Sequence, residues 1–284
     1  MEIINKIADM QMLSSKLRKQ GKTIACVPTM GYLHSGHISL LKKAKELADV
    51  AIVTLFVNPT QFGPSEDYDR YPRDFDRDRE LCFKNGCDYL FNPEVEEMYP
   101  DGFSSTIKIG VVTEKFEGVH RPGHFDGVAT VVAKLFNATL PDFAIFGQKD
   151  YQQTLLIKKL VKDLNFPIQI IVASTIREAD GLALSSRNIY LSPQERQKAA
   201  IIPKSLQKTI EAIKNGEKNR NKLNEILRNS LKQVPDIKID YAEVVEAETL
   251  KEYSEFTSKM QVVILVALYL GRTRLIDNEI VEIP

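Results

Sequence analysis

Pro28-Thr29-Met30-Gly31-Tyr32-Leu33-His34-Ser35-Gly36-His37 joins an apolar run to an amphipathic helix through two glycines and two histidines. Residues 23–27 before it read as a buried strand, and Leu40, Leu41, Ala44, Leu47 and Ala48 after it recur at helical spacing. The turn therefore sits at the carboxyl end of a strand. In open α/β sheets ligands bind at that edge, and the helix N-terminus beyond it offers unpaired N–H groups and partial positive charge to phosphate. His34 and His37 lie one helical turn apart, so both imidazoles can face one bound group and donate hydrogen bonds to it. Two histidines so placed can also chelate a metal. No acidic residue stands beside them at zincin spacing, which favours phosphate contact.

Outward from this turn, strand and helix patterns alternate. A helix over 36–48 leads to a continuous apolar strand over 50–57. A helix over 74–85 stops at Gly86 before a short strand at 88–91, glycine being the expected residue just past a helix end. A helix over 127–137, a strand at 143–145, a helix over 151–164 and a strand at 168–172 complete a third cycle, with Pro167 breaking the chain before the last strand. Such alternation predicts parallel strands with helical crossovers, that is, an α/β Rossmann-like doubly wound sheet spanning residues 1–175. Beyond that point Ser192-Pro193-Gln194-Glu195 carries an N-cap serine, proline at the first helical position and glutamate at the third, predicting one helix from 192 to about 215. A further helix through Leu231 and strands at 239–245 and 262–270 make residues 176–284 a smaller α+β domain, expected to cover the active site.

Composition removes several function classes. Lys plus Arg equals Asp plus Glu at 38 each, so no overall positive field advertises a nucleic-acid or anionic-membrane partner. The longest apolar run, 262–270, is well short of the roughly 18 residues a membrane span needs. The N-terminus lacks a basic region followed by an apolar signal core. Cys26, Cys82 and Cys87 are odd in number and lack paired-ligand spacing, which argues against a disulfide framework and a structural zinc site. Cytoplasm is the expected compartment.

Further motifs fall at corresponding places. Asn58-Pro59-Thr60-Gln61-Phe62 follows the second strand, where Asn58 and Gln61 supply uncharged hydrogen bonds to a polar ligand. Gly147-Gln148-Lys149-Asp150-Tyr151-Gln152-Gln153 repeats the strand-to-helix logic: Gly147 permits close backbone approach, Lys149 offers a compact positive charge and Asp150 can cap the helix or face a ribose hydroxyl. Leu184-Ser185-Ser186-Arg187-Asn188 brings two hydroxyls and a guanidinium, groups suited to a pyrophosphate leaving group. The mixed-charge run 67–78 reads as a solvated face, from which Asp78 could hold Mg²⁺ through water.

Taken together with His120-Arg121-Pro122-Gly123-His124-Phe125, these motifs resemble the pantoate–β-alanine ligase family of the nucleotidyltransferase superfamily, over almost the whole chain. The histidine turn alone would indicate only the superfamily, which leaves a cytidylyltransferase, another adenylyltransferase or a non-catalytic nucleotide-binding module as alternatives. The resemblance implies ATP-dependent joining of pantoate to β-alanine through a pantoyl adenylate, with Mg²⁺, in a homodimer that takes small-molecule substrates and neither nucleic acid nor membrane. It implies that Met30, Gly31, Tyr32, Leu33, His34, Ser35, Gly36 and His37 bind ATP, with His37 as proton donor. Gly147, Gln148, Lys149, Asp150, Ile176, Leu184, Ser185, Ser186 and Arg187 would complete the nucleotide site. His34, Lys149, Ser185, Ser186 and Arg187 would serve the chemistry with His37, while Gln61 and Gln153 would hold pantoate and Gln61 also β-alanine. Leu184 and Gln148 depart from the family's commoner Met and Glu, at positions where backbone or packing matters most.

Overall fold

In a computed structural model of the chain, residues 1–64 and 66–284 are described. In chain order the elements are β1 (Glu2–Ile4), α1 (Ile7–Lys19), β2 (Ile24–Thr29), α2 (Ser35–Leu47), β3 (Val50–Leu55), α3 (Phe75–Lys84) and β4 (Tyr89–Phe91). There follow α4 (Val95–Met98), α5 (Glu117–His120), α6 (His124–Thr139), β5 (Phe143–Gly147), α7 (Tyr151–Asp163) and β6 (Gln169–Ala173). Then come α8 (Pro193–Ala199), α9 (Ile201–Lys214), α10 (Arg220–Leu231), β7 (Ile237–Glu246), β8 (Gln261–Leu270) and β9 (Thr273–Glu282). The chain divides into two units, Met1–Gln148 with Gln152–Ser174, and Lys149–Tyr151 with Thr175–Pro284.

The first unit is a six-stranded sheet in the order β1-β4-β3-β2-β5-β6, with every pairing parallel. Its central strands β2 and β3 are apolar except for Thr29 and Thr54, because both faces are covered. Ala25, Val27, Ala51 and Val53 meet Leu40, Leu41 and Ala44 of α2 on one face. On the other face Cys26 reaches Thr139 of α6, and burial pushes its thiol up to about 12, which keeps it protonated and inert. Chain direction across the sheet reverses beside β2, which pairs with both β3 and β5. Since the strands are parallel, the turns after β2, β3 and β5 open at one edge, the topological switch point of a doubly wound sheet.

The second unit carries an antiparallel sheet in the order β7-β8-β9. Val262, Ile264, Val266 and Leu268 of β8 pack with Leu206 and Ile213 of α9 and with Leu223 and Leu227 of α10. The single helix expected over 192–215 is two, α8 and α9, parted at Ala200. Pro203 is the cause: it has no N–H for the carbonyl of Ala199, and its ring would collide with that oxygen in a continuous helix. The capping box at Ser192 and Glu195 forms as the sequence indicates. Helix α6 starts at His124, ahead of the expected 127, and β1, α1 and β9 add elements that the periodicity had not suggested.

Candidate active site

In the turn after β2, the backbone enters the left-handed region at Gly31 (φ 87°) and Tyr32 (φ 50°). That bend aims the amides of Tyr32 and Leu33 at the carboxylate of Asp78, at 2.6 and 2.7 Å. Asp78 is 1% exposed on α3, so the expectation of a solvated residue there fails. Burial pushes its carboxyl above the ordinary range, opposed by the two amides. Both oxygens thus engage the turn, the geometry of an anchor for the loop rather than of an open cation ligand. A Cβ on Gly31 would lie 3.0 Å from Asp78 Oδ2, a second reason for glycine there. Leu33, 2% exposed, plugs the turn into the core under the sheet.

Beyond the turn the two histidines cap α2. His34 Nδ1 accepts from the amide of Gly36 at 3.1 Å, and His37 Nδ1 accepts from the amide of His34 at 3.2 Å. This is a capping box built from imidazoles, with ring centroids 4.1 Å apart. A nitrogen that accepts from an amide carries no proton, so in this geometry each ring holds its proton on Nε2. The cap therefore assigns donation toward a ligand to each Nε2–H. Gly36 is required by the fold-back of His34: a Cβ there would stand 2.8 Å from the ring.

After β3, Asn58 caps a single 3-10 turn, Pro59–Gln61. Its orientation follows from backbone groups whose roles are fixed. The carbonyl of Gly127 can only accept, so Nδ2 faces it at 3.2 Å, while the amide of Thr60 can only donate, so Oδ1 faces it at 3.3 Å. Tyr99 and Thr60 hydroxyls also reach Oδ1, at 2.8 and 3.0 Å. The second Nδ2 hydrogen goes to Gln61 Oε1 at 3.1 Å. The amide of Gln61 is thereby set with its NH2 toward Met30 Sδ, 3.0 Å away. Asn58, expected to meet the ligand, engages its polar groups inside the protein and orients Gln61, which presents N–H donors beside Met30 of the turn after β2.

Gly147 ends β5 and is followed by Gln148, while Gln153 lies half-buried in the first turn of α7. Its neighbour Gln152, which carried no role in the sequence reading, is buried and cross-braces a loop. It donates to the carbonyls of Val112 and Lys115 at 2.6 and 2.8 Å and accepts from the amide of Glu117 at 3.1 Å.

The second unit gathers the other group. Ile176 and Leu184 face each other across a narrow hairpin, with the Leu184 amide on the Ile176 carbonyl at 3.0 Å and a bridge between Arg177 and Ala183. The hairpin delivers Ser185, which caps a 3-10 turn, Ser186–Tyr190, by accepting from the Arg187 amide at 3.3 Å. Asn188 ties this turn back to Ala183 and Glu178, both at 3.1 Å. Arg177 clamps the hairpin to β9 through Asp277, at 2.7 and 3.0 Å, and Glu279, at 2.7 Å. The next residue, Asn278, donates to the carbonyl of Lys149 at 2.9 Å. Adjacent buried residues of one strand thus hold both Lys149 and the hairpin carrying Ile176 and Leu184. Asp150 is exposed, with its carboxylate 3.9 Å from Lys149 Nζ. Asp78, Arg177, Asp277 and Asn278 were absent from the sequence reading in these supporting roles, because each acts on a segment far away in sequence.

Among the described residues, no group of three or more His, Cys, Asp and Glu side chains is arranged to hold a metal ion, and no helix is long and apolar enough to cross a membrane. The sequence pattern of the Pantoate-beta-alanine ligase family matches residues 2–280. The chain is 50% identical over 283 residues to the pantothenate synthetase of Caldicellulosiruptor saccharolyticus, covering 100% of both. It is 48% identical to that of Moorella thermoacetica, covering 100% of this chain and 99% of the relative. Among solved structures, pantothenate synthetase from Thermus thermophilus superposes with a TM-score of 0.92 at 43% identity, over 98% of this chain and 99% of that one. Pantoate-beta-alanine ligase from Francisella tularensis, complexed with beta-gamma ATP and beta-alanine, superposes with a TM-score of 0.81 at 38% identity, over 98% and 97%.

Proposed function

The chain belongs to the pantoate–β-alanine ligase family, enzymes that form a C–N bond, and from that premise we propose how its residues divide the work. ATP and β-alanine are the small molecules named for the Francisella relative. The pantoate carboxylate attacks the α-phosphorus of ATP, pyrophosphate leaves, and the acid is held as a pantoyl adenylate. The β-alanine amine then attacks the acyl carbon and AMP leaves.

The first step brings two anions together, so fixed donors have to offset their repulsion and stabilise charge on the leaving group. His34 and His37 donate Nε2–H to the phosphates, with His37 as proton donor, and the remaining residues of the turn, Met30 to Leu33 with Ser35 and Gly36, enclose the nucleotide. Gly147 and Gln148 continue its binding surface, Lys149 reaches the phosphates and Asp150 the ribose. Ile176 and Leu184 line the nucleotide, and Ser185, Ser186 and Arg187 hold the pyrophosphate. Gln61, oriented by Asn58, and Gln153 hold pantoate, and Gln61 also receives β-alanine. Magnesium would accompany ATP as the counterion of its phosphates, held chiefly by phosphate oxygens and water. We further propose a homodimer, as the resemblance implies, working in the cytoplasm, where the three free, buried thiols of Cys26, Cys82 and Cys87 are at home.

The observation that supports this reading is the double-histidine cap of α2, which follows the turn whose Met30 Sδ takes the Gln61 side-chain amide at 3.0 Å. Replacing His37 or Lys149 by Ala is expected to slow adenylate formation by roughly 10²–10³-fold with the fold intact, the usual size for losing one charge-stabilising donor. Rapid-quench measurement of adenylate in both variants checks this, and near-normal rates in both would overturn the assignment. Pantoate-dependent pyrophosphate exchange, with AMP released only once β-alanine is added, distinguishes the ligase sequence from simple nucleotidyl transfer.

A further inference from the structure

The motif His120-Arg121-Pro122-Gly123-His124-Phe125 has no place in the chemistry above, yet its second histidine is buried at the start of α6, 8% exposed. His124 Nδ1 lies 2.8 Å from the main-chain carbonyl of Gln61, and its Nε2 lies 3.0 Å from Arg121 Nη1. A carbonyl only accepts and a guanidinium only donates, so the proton is on Nδ1 and the lone pair on Nε2. Arg121 is itself fixed by a two-pronged pair with Glu66, at 2.7 Å on each prong. Burial, aided by the charge of Arg121, holds the His124 pKa down at about 4, so the ring stays neutral near pH 7.

One helical turn further along α6, Gly127 touches the same loop. A Cβ there would lie 2.4 Å from the Thr60 carbonyl oxygen and 2.7 Å from the Gln61 nitrogen, and the Gly127 carbonyl takes the Asn58 side chain. The opening turn of α6 thus meets the Asn58–Gln61 loop at its backbone and at the Asn58 side chain.

We propose that His124 is a positioning residue for Gln61: its Nδ1–H fixes the Gln61 carbonyl, and Gly127 sets how closely the loop seats, so that the Gln61 amide is presented to the acid substrate in one geometry. The inference rests on the reading that Gln61 binds pantoate. It assigns His124 no contact with substrate.

Two substitutions separate the ring's two contacts. In His124→Asn the side-chain amide nitrogen takes the place of Nδ1 and keeps the bond to Gln61, while His124→Gln places its amide at the Nε2 position and keeps only the contact with Arg121. The expected result is a pantoate KM raised about tenfold in His124→Gln and near wild type in His124→Asn, with the ATP KM changing by less than about twofold in both. Thermal unfolding of the two variants controls for stability, since a merely structural role would follow the melting temperature and shift both substrates together. Equal pantoate KM values in the two variants, or ATP and pantoate KM rising in parallel, would overturn the proposal. Gln61→Ala is run alongside. If that variant leaves pantoate KM unchanged, the reading of Gln61 itself fails and the inference with it. If it raises KM while His124→Gln matches wild type, only the positioning role fails.

Discussion

Asp78 holds two backbone amides with one carboxylate, an arrangement an asparagine cannot reproduce. An asparagine in its place would offer one acceptor and turn an NH2 toward the other amide. Asp78→Asn is therefore expected to cost about 1–3 kcal/mol and to raise the KM for ATP more than that for pantoate, because the turn it anchors is the one proposed to bind the nucleotide. Thermal melts and paired KM determinations check this, and an unchanged ATP KM would remove Asp78 from the loop's support. His124 gives the residue scale a pH signature. Its folded pKa of about 4 lies below the ordinary 6.5, so between those values the unfolded chain takes up a proton that the folded chain refuses. Stability from this group is complete above pH 6.5 and is lost as pH falls toward 4, a loss of roughly 3 kcal/mol. Arg121, Glu117 and Glu66 are the charged groups acting on the ring, the first holding its pKa down and the two carboxylates raising it. Urea titrations at several pH values should show a shallower acid loss in His124→Asn than in the wild type, and parallel curves would contradict this account.

Strand β9 supports the second group of candidate residues, and its absence from the sequence pattern has a physical cause. Buried positions along β9 include Thr273, Asp277 and Asn278, so its inward face is partly polar and the apolar alternation that marks a strand is broken where the strand holds other segments. The three-residue edge strand β1 is too short to show a period, and α1 buries Ser14 between Met10 and Leu17 on its inner face. By contrast, β2, α2 and β3 are legible because their apolar spacing is uninterrupted, and the turns that carry the two histidines and Gln61 are legible as turns because glycine and proline punctuate strand ends. What local sequence could not carry is the pairing of Asp78 with Tyr32 and Leu33, or of Asn278 with Lys149, since each joins residues far apart along the chain. The element makes its own predictions. Asn278→Ala should raise the ATP KM more than the pantoate KM, because it releases the Lys149 carbonyl. Arg177→Met, which leaves the 1%-exposed carboxylate of Asp277 without its opposite charge, should destabilise the protein by about 3–5 kcal/mol, readable as a lowered denaturation midpoint.

At the scale of the molecule, 38 basic and 38 acidic residues leave no net charge to draw anions from a distance. Capture of ATP then depends on local donors, and kcat/KM for ATP should vary far less with added salt than the roughly 10–10³-fold accelerations seen where a global field steers association. A steep salt dependence would point to a charged funnel instead. The first unit is also discontinuous along the chain, interrupted by Lys149–Tyr151, which belong to the second. Asn278 on the Lys149 carbonyl, and the Ala247 carbonyl taken by the Tyr151 hydroxyl at 2.7 Å, help bind this segment to its unit. The consequence is genetic: a recombination joint near residue 175 would hand a host's lysine to a foreign β9. Chimeras between relatives should therefore keep activity when residues 149–151 and 247–278 come from the same parent, so that two distant stretches of the gene are inherited as one.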